Sequence, residues 1–303
     1  MWRDAYYLMR PLIPRRFQLL ARRQFVRIKR SRSHSIWPID PDSAVPPENW
    51  PGWPGGKQFA LVLTHDVDTQ SGHDKCLRLM ALEKDLGFYS AFYFVPERYS
   101  VSPELRKKLL CNGFEVGVHG LTHDGKLYSS RRTFLERARK INGYIREWGA
   151  VGFRSPAMHH NLEWIHDLDI LYDASTFDTD PFEPQSDGLG TIYPQWIGNN
   201  GGGYVELPYT LVQDFTLFIL MGKKDISIWQ KKLDWVAAQG GMVLLNSHPD
   251  YMRFHPKEQS REVYPAVLYR DFLEYLLNTY SDRYWHALPK DVAEYCIDGI
   301  ARK

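Results

Sequence analysis

Two acids separated by one residue, Asp66 and Asp68, follow the apolar run 59–64. On a strand, positions i and i+2 face the same way, so both carboxylates are directed to one side. Carboxylates that close repel each other, and a cation that neutralises one or both keeps them ionised. Metal binding by one and proton abstraction by the other is the chemistry such a pair offers. A solvated Asp-rich turn would explain the same letters, because Asp is common in turns.

His119 and His123 stand four residues apart just after a second apolar run. At that spacing two imidazoles share one face of a helical turn and can reach one metal ion. Two unrelated histidines are the alternative. Arg154 ends a further short run, where a guanidinium can hold a carboxylate ionised. His248 follows the late run 242–246, and a histidine there suits a general acid, because its ordinary pKa lies near neutrality.

The elements that must position these residues alternate in type. Short apolar runs predict strands at 59–64, 89–95, 115–118, 151–154, 170–177, 242–246 and 284–288. Amphipathic stretches predict helices at 75–86, 103–110, 131–148, 228–239, 266–278 and 289–297, with Leu135, Ala138, Ile141 and Ile145 on one side of the third. Residues 180–204 read as a long loop. Strands alternating with helices imply a parallel sheet. About seven or eight units over some 240 residues fit a closed or nearly closed (β/α) barrel, whose strand C-termini form the active-site mouth. An open doubly wound sheet is the alternative, but no glycine-rich phosphate loop follows the first strand.

Taken in order, the four stations resemble the motifs of the polysaccharide deacetylase family (the NodB-homology domain, carbohydrate esterase family 4). Thr64-His65-Asp66-Val67-Asp68 resembles an Asp-x-Asp variant of its first motif, His119 to His123 its His-x-x-x-His, Arg154-Ser155-Pro156 its Arg-x-Pro, and Leu245-Asn246-Ser247-His248 its Leu-x-x-His. The resemblance covers roughly residues 59–250. It implies an α/β fold, a distorted (β/α)7 barrel, and a metal-dependent hydrolase that removes an N-acetyl group from an amino sugar of a polysaccharide or its precursor. It implies Asp66 as general base and Arg154 as its orienting partner. Asp68, His119 and His123 would hold one divalent metal, zinc first among them, and His248 would be the general acid. The family's usual Tyr after Arg-x-Pro is replaced by Ala157, whose backbone N–H is still expected to help hold an oxyanion. Asp68 is displaced by one residue from the usual second acid, which leaves open which acid binds the metal. His159 and His160 could fill the space of the missing Tyr or lie on the surface.

Other residues are less selective. Asp173 could pair with His248 and raise its pKa, or cap a strand end. Asp178, Asp180 and Asp214 could reach a substrate, and nothing in the sequence chooses among them. Trp196, Tyr204 and the Gly-rich stretch 201–203 could shape a sugar site or a hairpin. Relatives of this fold act on other C–N bonds, such as N-formyl sugars or cyclic ureides. A non-catalytic carbohydrate-binding protein is the remaining alternative.

Bulk properties fit a globular protein: 44% hydrophobic and 24% charged residues over 303 positions. Cys76, Cys111 and Cys296 form no close pair, which suggests core residues in a reducing compartment rather than a disulfide frame. Arginines interrupt any early apolar block, so neither a secretory signal nor a spanning helix is expected, and a cytoplasmic location follows. The net charge of +2 conceals an asymmetry: residues 1–33 carry ten Lys or Arg and one acid, Asp4, whereas the remainder carries 28 basic and 35 acidic residues. A helix is expected from Pro14 onward, with Phe17, Leu20, Ala21, Gln24 and Ile28 near one face. Six prolines between residues 37 and 56 resist regular structure, so residues 1–57 read as a basic arm and Pro/Trp-rich linker ahead of a barrel at 58–303. The arm could touch an anionic membrane surface peripherally or fold back on the acidic body; no nucleic-acid motif accompanies it.

Overall fold

The first barrel strand, β1 (Phe59–Val67), is buried at every position. A strand without alternation is covered on both faces, as in a parallel sheet wrapped by helices. The structure is a computed structural model that describes residues 14–33, 35–199, 202–258, 260 and 262–301. In it β1 pairs in parallel with β2 (Ala91–Phe94), and β2 with β3 (Glu115–His119). The sheet continues through β4 (Gly152–Arg154), β5 (Tyr172–Asp173) and β7 (Gly202–Glu206), all parallel. On the other side of β1 lies β8 (Met242–Ser247), again parallel. A bridge between Leu211, just beyond β7, and Leu245 of β8 draws the two ends together. The result is the expected distorted (β/α)7 barrel. A last short strand, Tyr284–His286, lies along the start of β1.

Local chemistry explains the helices between the strands, which start with α2 (Gln70–His73) and α3 (Cys76–Asp85) after β1. Ser102 caps α4 (Pro103–Cys111) by accepting the Leu105 N–H, and Ser130 caps α5 (Arg131–Trp148) by accepting that of Thr133. Gly149, in the left-handed conformation, ends α5. The buried face of α5 comprises Phe134, Ala138, Ile141, Ile145 and Trp148. Leu135, expected on that face, is exposed, because Phe134 takes the place one position earlier.

Other expectations needed correction. The run 170–177 pairs as a strand only at Tyr172–Asp173, and its continuation contributes a single bridge, Phe177 to Tyr209. The expected loop 180–204 contains an antiparallel hairpin of β6 (Gln195–Asn199) and β7. Gly203 makes this possible: a Cβ there would lie 2.5 Å from the Ile197 carbonyl oxygen and 2.6 Å from the Trp196 ring. Trp196 and Tyr204 therefore serve the hairpin. Cys76 and Cys296 are buried as expected, but Cys111 is exposed at the end of α4.

The basic segment forms α1 (Arg15–Arg32), which lies against the barrel. Its buried apolar side chains are Leu19 and Val26, which join the main core. The stripe singled out in the sequence, Phe17, Leu20 and Ile28, is the exposed one. The Pro-rich segment that follows wraps the barrel through tryptophans. Trp37 meets Phe182 edge to face at 5.0 Å, and Trp53 donates its indole N–H to the Gly240 carbonyl at 2.8 Å. Among the described residues no helix is long and apolar enough to cross a membrane.

This wrap sets a stability prediction. Trp37→Ala should cost about 3 kcal/mol in urea unfolding, the scale for removing a large buried aromatic. Phe17→Ala, on the exposed face of α1, should change stability by less than about 0.5 kcal/mol. Equal effects of the two would mean that the segment does not pack on the barrel.

Candidate active site and metal centre

At the C-terminal mouth of the barrel the four sequence stations converge. β1 delivers Asp66 at its end and Asp68 just beyond it. β3 ends in His119, β4 in Arg154, and β8 leads into His248. The polar framework beneath them is built first. Arg154 is wholly buried. Its Nε donates to the Ala174 carbonyl at 2.8 Å, and Nη1 lies 2.9 Å from Thr64 Oγ1, 3.1 Å from Asp66 Oδ1 and 2.8 Å from Asn246 Oδ1. The guanidinium also sits 4.7 Å over the Tyr93 ring. Asn246 donates its Nδ2 to the second Asp66 oxygen at 2.8 Å. Both Asp66 oxygens are thus fixed. Burial alone would push this carboxyl up, but His119, Arg154 and His248 outweigh it and hold Asp66 below its ordinary value.

Asp68, His119 and His123 bring one ligand atom each within 4.8 Å of one another. His123 Nε2 lies 2.9 Å and His119 Nε2 3.4 Å from the same oxygen, Asp68 Oδ1. That oxygen is buried and receives no aligned hydrogen bond. The reason is visible at His119, whose Nδ1 donates to the Arg154 carbonyl at 3.0 Å. In a neutral imidazole this leaves Nε2 with a lone pair directed at a carboxylate oxygen, an arrangement that a cation between them would stabilise. The donor set of two imidazoles and one carboxylate fits a divalent transition ion with open coordination positions. Burial opposes the Asp68 charge, but His123, His119 and His248 bring its pKa well below the ordinary value.

The histidine pair does not lie on a helical turn, as its spacing suggested. The chain bends instead through left-handed positions at Gly120 (φ 61°) and His123 (φ 55°). A Cβ on Gly120 would lie 2.5 Å from the Pro156 ring, so only glycine lets this loop pack against the Arg154-Ser155-Pro156 corner. Ala157 follows that corner, half buried, also left-handed at φ 55°. His159 and His160 are both buried rather than on the surface, and His160 is anchored to the carbonyls of Met158 and Asp187.

His248 is paired with Asp214, not with Asp173. Its Nδ1 lies 2.7 Å from Asp214 Oδ1, while Asp214 Oδ2 accepts the His248 backbone N–H at 2.8 Å and the Tyr264 hydroxyl at 3.0 Å. Asp173 instead accepts the Ser175 hydroxyl at 2.6 Å, and burial raises its pKa. Asp178 is spent on Lys232, and Asp180 on the Tyr209 hydroxyl. Nδ1 being occupied by Asp214, His248 presents Nε2, 3.9 Å from Asp66 Oδ2. Burial would lower the His248 pKa, but Asp214, helped by Asp68 and Asp66, raises it to about 10.

Three contributors were not selected from the sequence. Asn246 sits inside the Leu-x-x-His motif, at a position the motif leaves unspecified. Asp214 was one of three loop acids with nothing to distinguish it. Asp250 accepts the Asp68 backbone N–H at 3.0 Å and bonds the Thr69 hydroxyl, bracing the loop that carries Asp68. Its position two residues after His248 was the only available signal.

No protein-family model matches the chain, and no curated protein matches it in sequence. Solved structures do match. A Mycobacterium smegmatis protein assigned as a polysaccharide deacetylase aligns at 20% identity and a TM-score of 0.62, over 80% of this chain and 91% of its own. The fold is the polysaccharide deacetylase fold. A second example, from Pseudomonas aeruginosa PAO1, aligns at 16% identity and a TM-score of 0.62, over 84% of this chain and 96% of that one. The allantoinase PuuE shares the deacetylase fold equally well, at 17% identity and a TM-score of 0.61, over 84% and 95% of the two chains. A protein assigned as a polysaccharide deacetylase and an allantoinase thus share one architecture, so the fold alone does not fix what the residues at the mouth do.

The His248–Asp214 pair gives a direct test. Asp214→Asn removes the negative charge that raises the imidazole pKa, so His248 should titrate at lower pH, followed by NMR of its ring protons. Asp173→Asn should leave that titration in place. The opposite result would reassign the partner.

Proposed function

We propose that this chain is a metal-dependent hydrolase that removes an N-acetyl group from an amino sugar of a polysaccharide or its precursor. The observation that carries the reading is the placement of Asp66 and His248 beside one three-ligand cluster at the barrel mouth. A single cluster with a base and an acid at its edge suits amide hydrolysis, in which a proton leaves water and another reaches the departing amine.

Asp68, His119 and His123 would hold the ion, with zinc favoured by two imidazoles and one carboxylate and cobalt or nickel as substitutes. When bound, a divalent ion there would supply Lewis-acid polarisation of the acyl carbonyl and acidification of water. Asp66 takes the proton of the attacking water. Arg154 and Asn246 keep its oxygens ionised and aimed. The Ala157 backbone N–H donates to the oxyanion that forms at the carbonyl. His248, held by Asp214, gives its Nε2 proton to the nitrogen as the C–N bond breaks, leaving acetate and a free amine. The left-handed turn at Ala157 supports its part, because it departs from ordinary backbone geometry just where a donor is needed.

A second reading is kept by the equal similarity to an allantoinase: hydrolysis of another C–N bond, in an N-formyl sugar or a cyclic ureide. Product analysis separates the readings: acetate for the first, formate or an opened ring for the second.

The reading sets expectations for ion content and for turnover of N-acetylated sugars. His119→Ala and His123→Ala should each lose the roughly one ion per chain of the parent protein, measured by elemental analysis. Full occupancy in both would dismiss the ligand set. Asp66→Asn should keep the ion and lose turnover, whereas Asp68→Asn should lose the ion; the reverse pattern would exchange the two roles. His248→Ala should slow acetate release by roughly two to four orders of magnitude. Because the acid must be protonated and its pKa is raised, the parent rate should show its descending limb on the alkaline side. Asp214→Asn should move that descending limb to lower pH. A limb that stays in place would remove His248 from proton donation.

A further inference from the structure

We propose that the outer face of α1 is a docking ridge for an anionic lipid bilayer. The helix has two unlike sides. Leu19 and Val26 face the barrel at 5% and 2% exposure, while Phe17, Leu20, Phe25 and Ile28 stand 49%, 54%, 47% and 52% exposed. Of the ten large apolar side chains exposed among the described residues, four are on this one helix. At 100° per residue these four, with Ala21 and Gln24, fall in an arc of about 140°. Such a ridge is not core, because the core side of the helix is already occupied.

The charges identify the occupant. Arg16 and Arg27 border the apolar arc on one side and Lys29 on the other, and Arg32 lies within it. No acid occurs anywhere in residues 14–33. Among the described residues no Asp or Glu lies within 4.0 Å of the charged groups of Arg16, Arg27 or Arg32, so the cations around the apolar arc have no ion-pair partner there; the carboxylate that senses a charge of this helix, Glu183, senses Arg22 on its inner side. An apolar strip bordered by cations matches a bilayer surface: the strip enters the acyl boundary while the cations meet lipid phosphates. A second copy of the chain fits poorly, because pairing two such faces would set arginines against arginines with no acid between them. Nucleic acid would use the cations but leave the apolar strip in water.

The ridge is also held rigidly. Arg23 Nε donates to the Ile219 carbonyl at 3.1 Å, and Arg22 sits 4.8 Å over the Phe215 ring. Phe215 opens the π-helical turn Phe215–Leu220, directly after Asp214, and its ring meets that of Tyr251 at 4.7 Å. Tyr251 in turn stands 5.2 Å from the His248 ring. The helix is therefore fixed near the mouth side of the barrel, where a substrate presented on a lipid surface could be taken. The docking itself does not depend on which C–N bond is cleaved.

Vesicle co-sedimentation of the full chain tests the proposal. Binding is expected to phosphatidylcholine vesicles containing phosphatidylglycerol and not to phosphatidylcholine alone. The bound fraction should fall at least about fivefold on raising salt from about 0.05 to 0.5 M, as screening shortens the reach of the charges. A combined Phe17→Ser, Leu20→Ser and Ile28→Ser variant should lose binding while keeping the parent unfolding midpoint. So should an Arg16→Glu, Arg27→Glu variant. Leu110→Ser, which changes an exposed apolar residue elsewhere, should bind as the parent does. Absence of binding by the parent, binding unchanged in both α1 variants, or equal binding to neutral vesicles would each overturn it. So would sedimentation velocity showing a dimer that only the apolar variant dissolves, or DNA binding without vesicle binding.

Discussion

Arg154 is a guanidinium with no access to water, and its carboxylate partner at the barrel mouth is Asp66. Removing two charges from water costs several kcal/mol per ion, and attraction repays this only with good geometry and satisfied hydrogen bonds. Here the geometry is supplied by three strands. Thr64 from β1, Asn246 from β8 and the Ala174 carbonyl after β5 supply the other contacts of its Nε and Nη1, while Nη2, also buried, makes no hydrogen bond among the described residues. Asn246 then closes the circuit by donating to Asp66. The register of β1 against β8, with Thr64 opposite Asn246, is what allows one side chain to serve both ions. A one-residue slip would turn these side chains to the other face and leave a buried charge without a partner.

The rest of the site hangs on this pair. The Arg154 carbonyl accepts a hydrogen bond from His119 Nδ1, so the residue that fixes Asp66 also orients an imidazole of the candidate metal cluster. Immediately afterwards the chain turns through Ala157 and Met158 in left-handed conformations, as it does at His123 across the same corner. Left-handed backbone at non-glycine residues costs on the order of 1 kcal/mol each and persists only where surrounding structure imposes it. Close packing of Gly120 on Pro156 imposes it here. Strain is concentrated where ligand and donor directions matter, and the fully buried strands beneath supply the stability that tolerates it.

A second buried network supports the same strand from below. His65, between Thr64 and Asp66, points to the opposite face, where its ring nitrogens meet Ser247 and Glu83 at 2.8 Å. Glu83 also accepts the hydroxyls of Ser90 and Tyr269. Alternation along β1 therefore directs catalytic candidates into the mouth and a structural hydrogen-bonded pair into the helical layer. On the outer side, the Trp37 and Trp53 contacts and α1 lean on the same barrel, which joins the basic segment to the main core.

The sequence by itself carried the barrel and the main stations. Periodicity separated strands from helices, and strand ends located Asp66, His119, Arg154 and His248, because side-chain direction along a strand is a local property. The order of four motifs then pointed to a known fold that no whole-sequence match revealed. What remained open were pairings between residues distant along the chain. Asp173 and Asp214 looked alike as letters. Only the closure of the sheet, which brings the segment after β7 beside β8, set Asp214 against His248, 34 positions away. The hairpin within 180–204 escaped because Gly, Pro and polar letters mark turns whether or not a strand lies between them. The apolar stripe of α1 was legible, but not its direction. Amphipathicity fixes which residues share a helix face, whereas the neighbours that fill the inner side decide which face meets solvent.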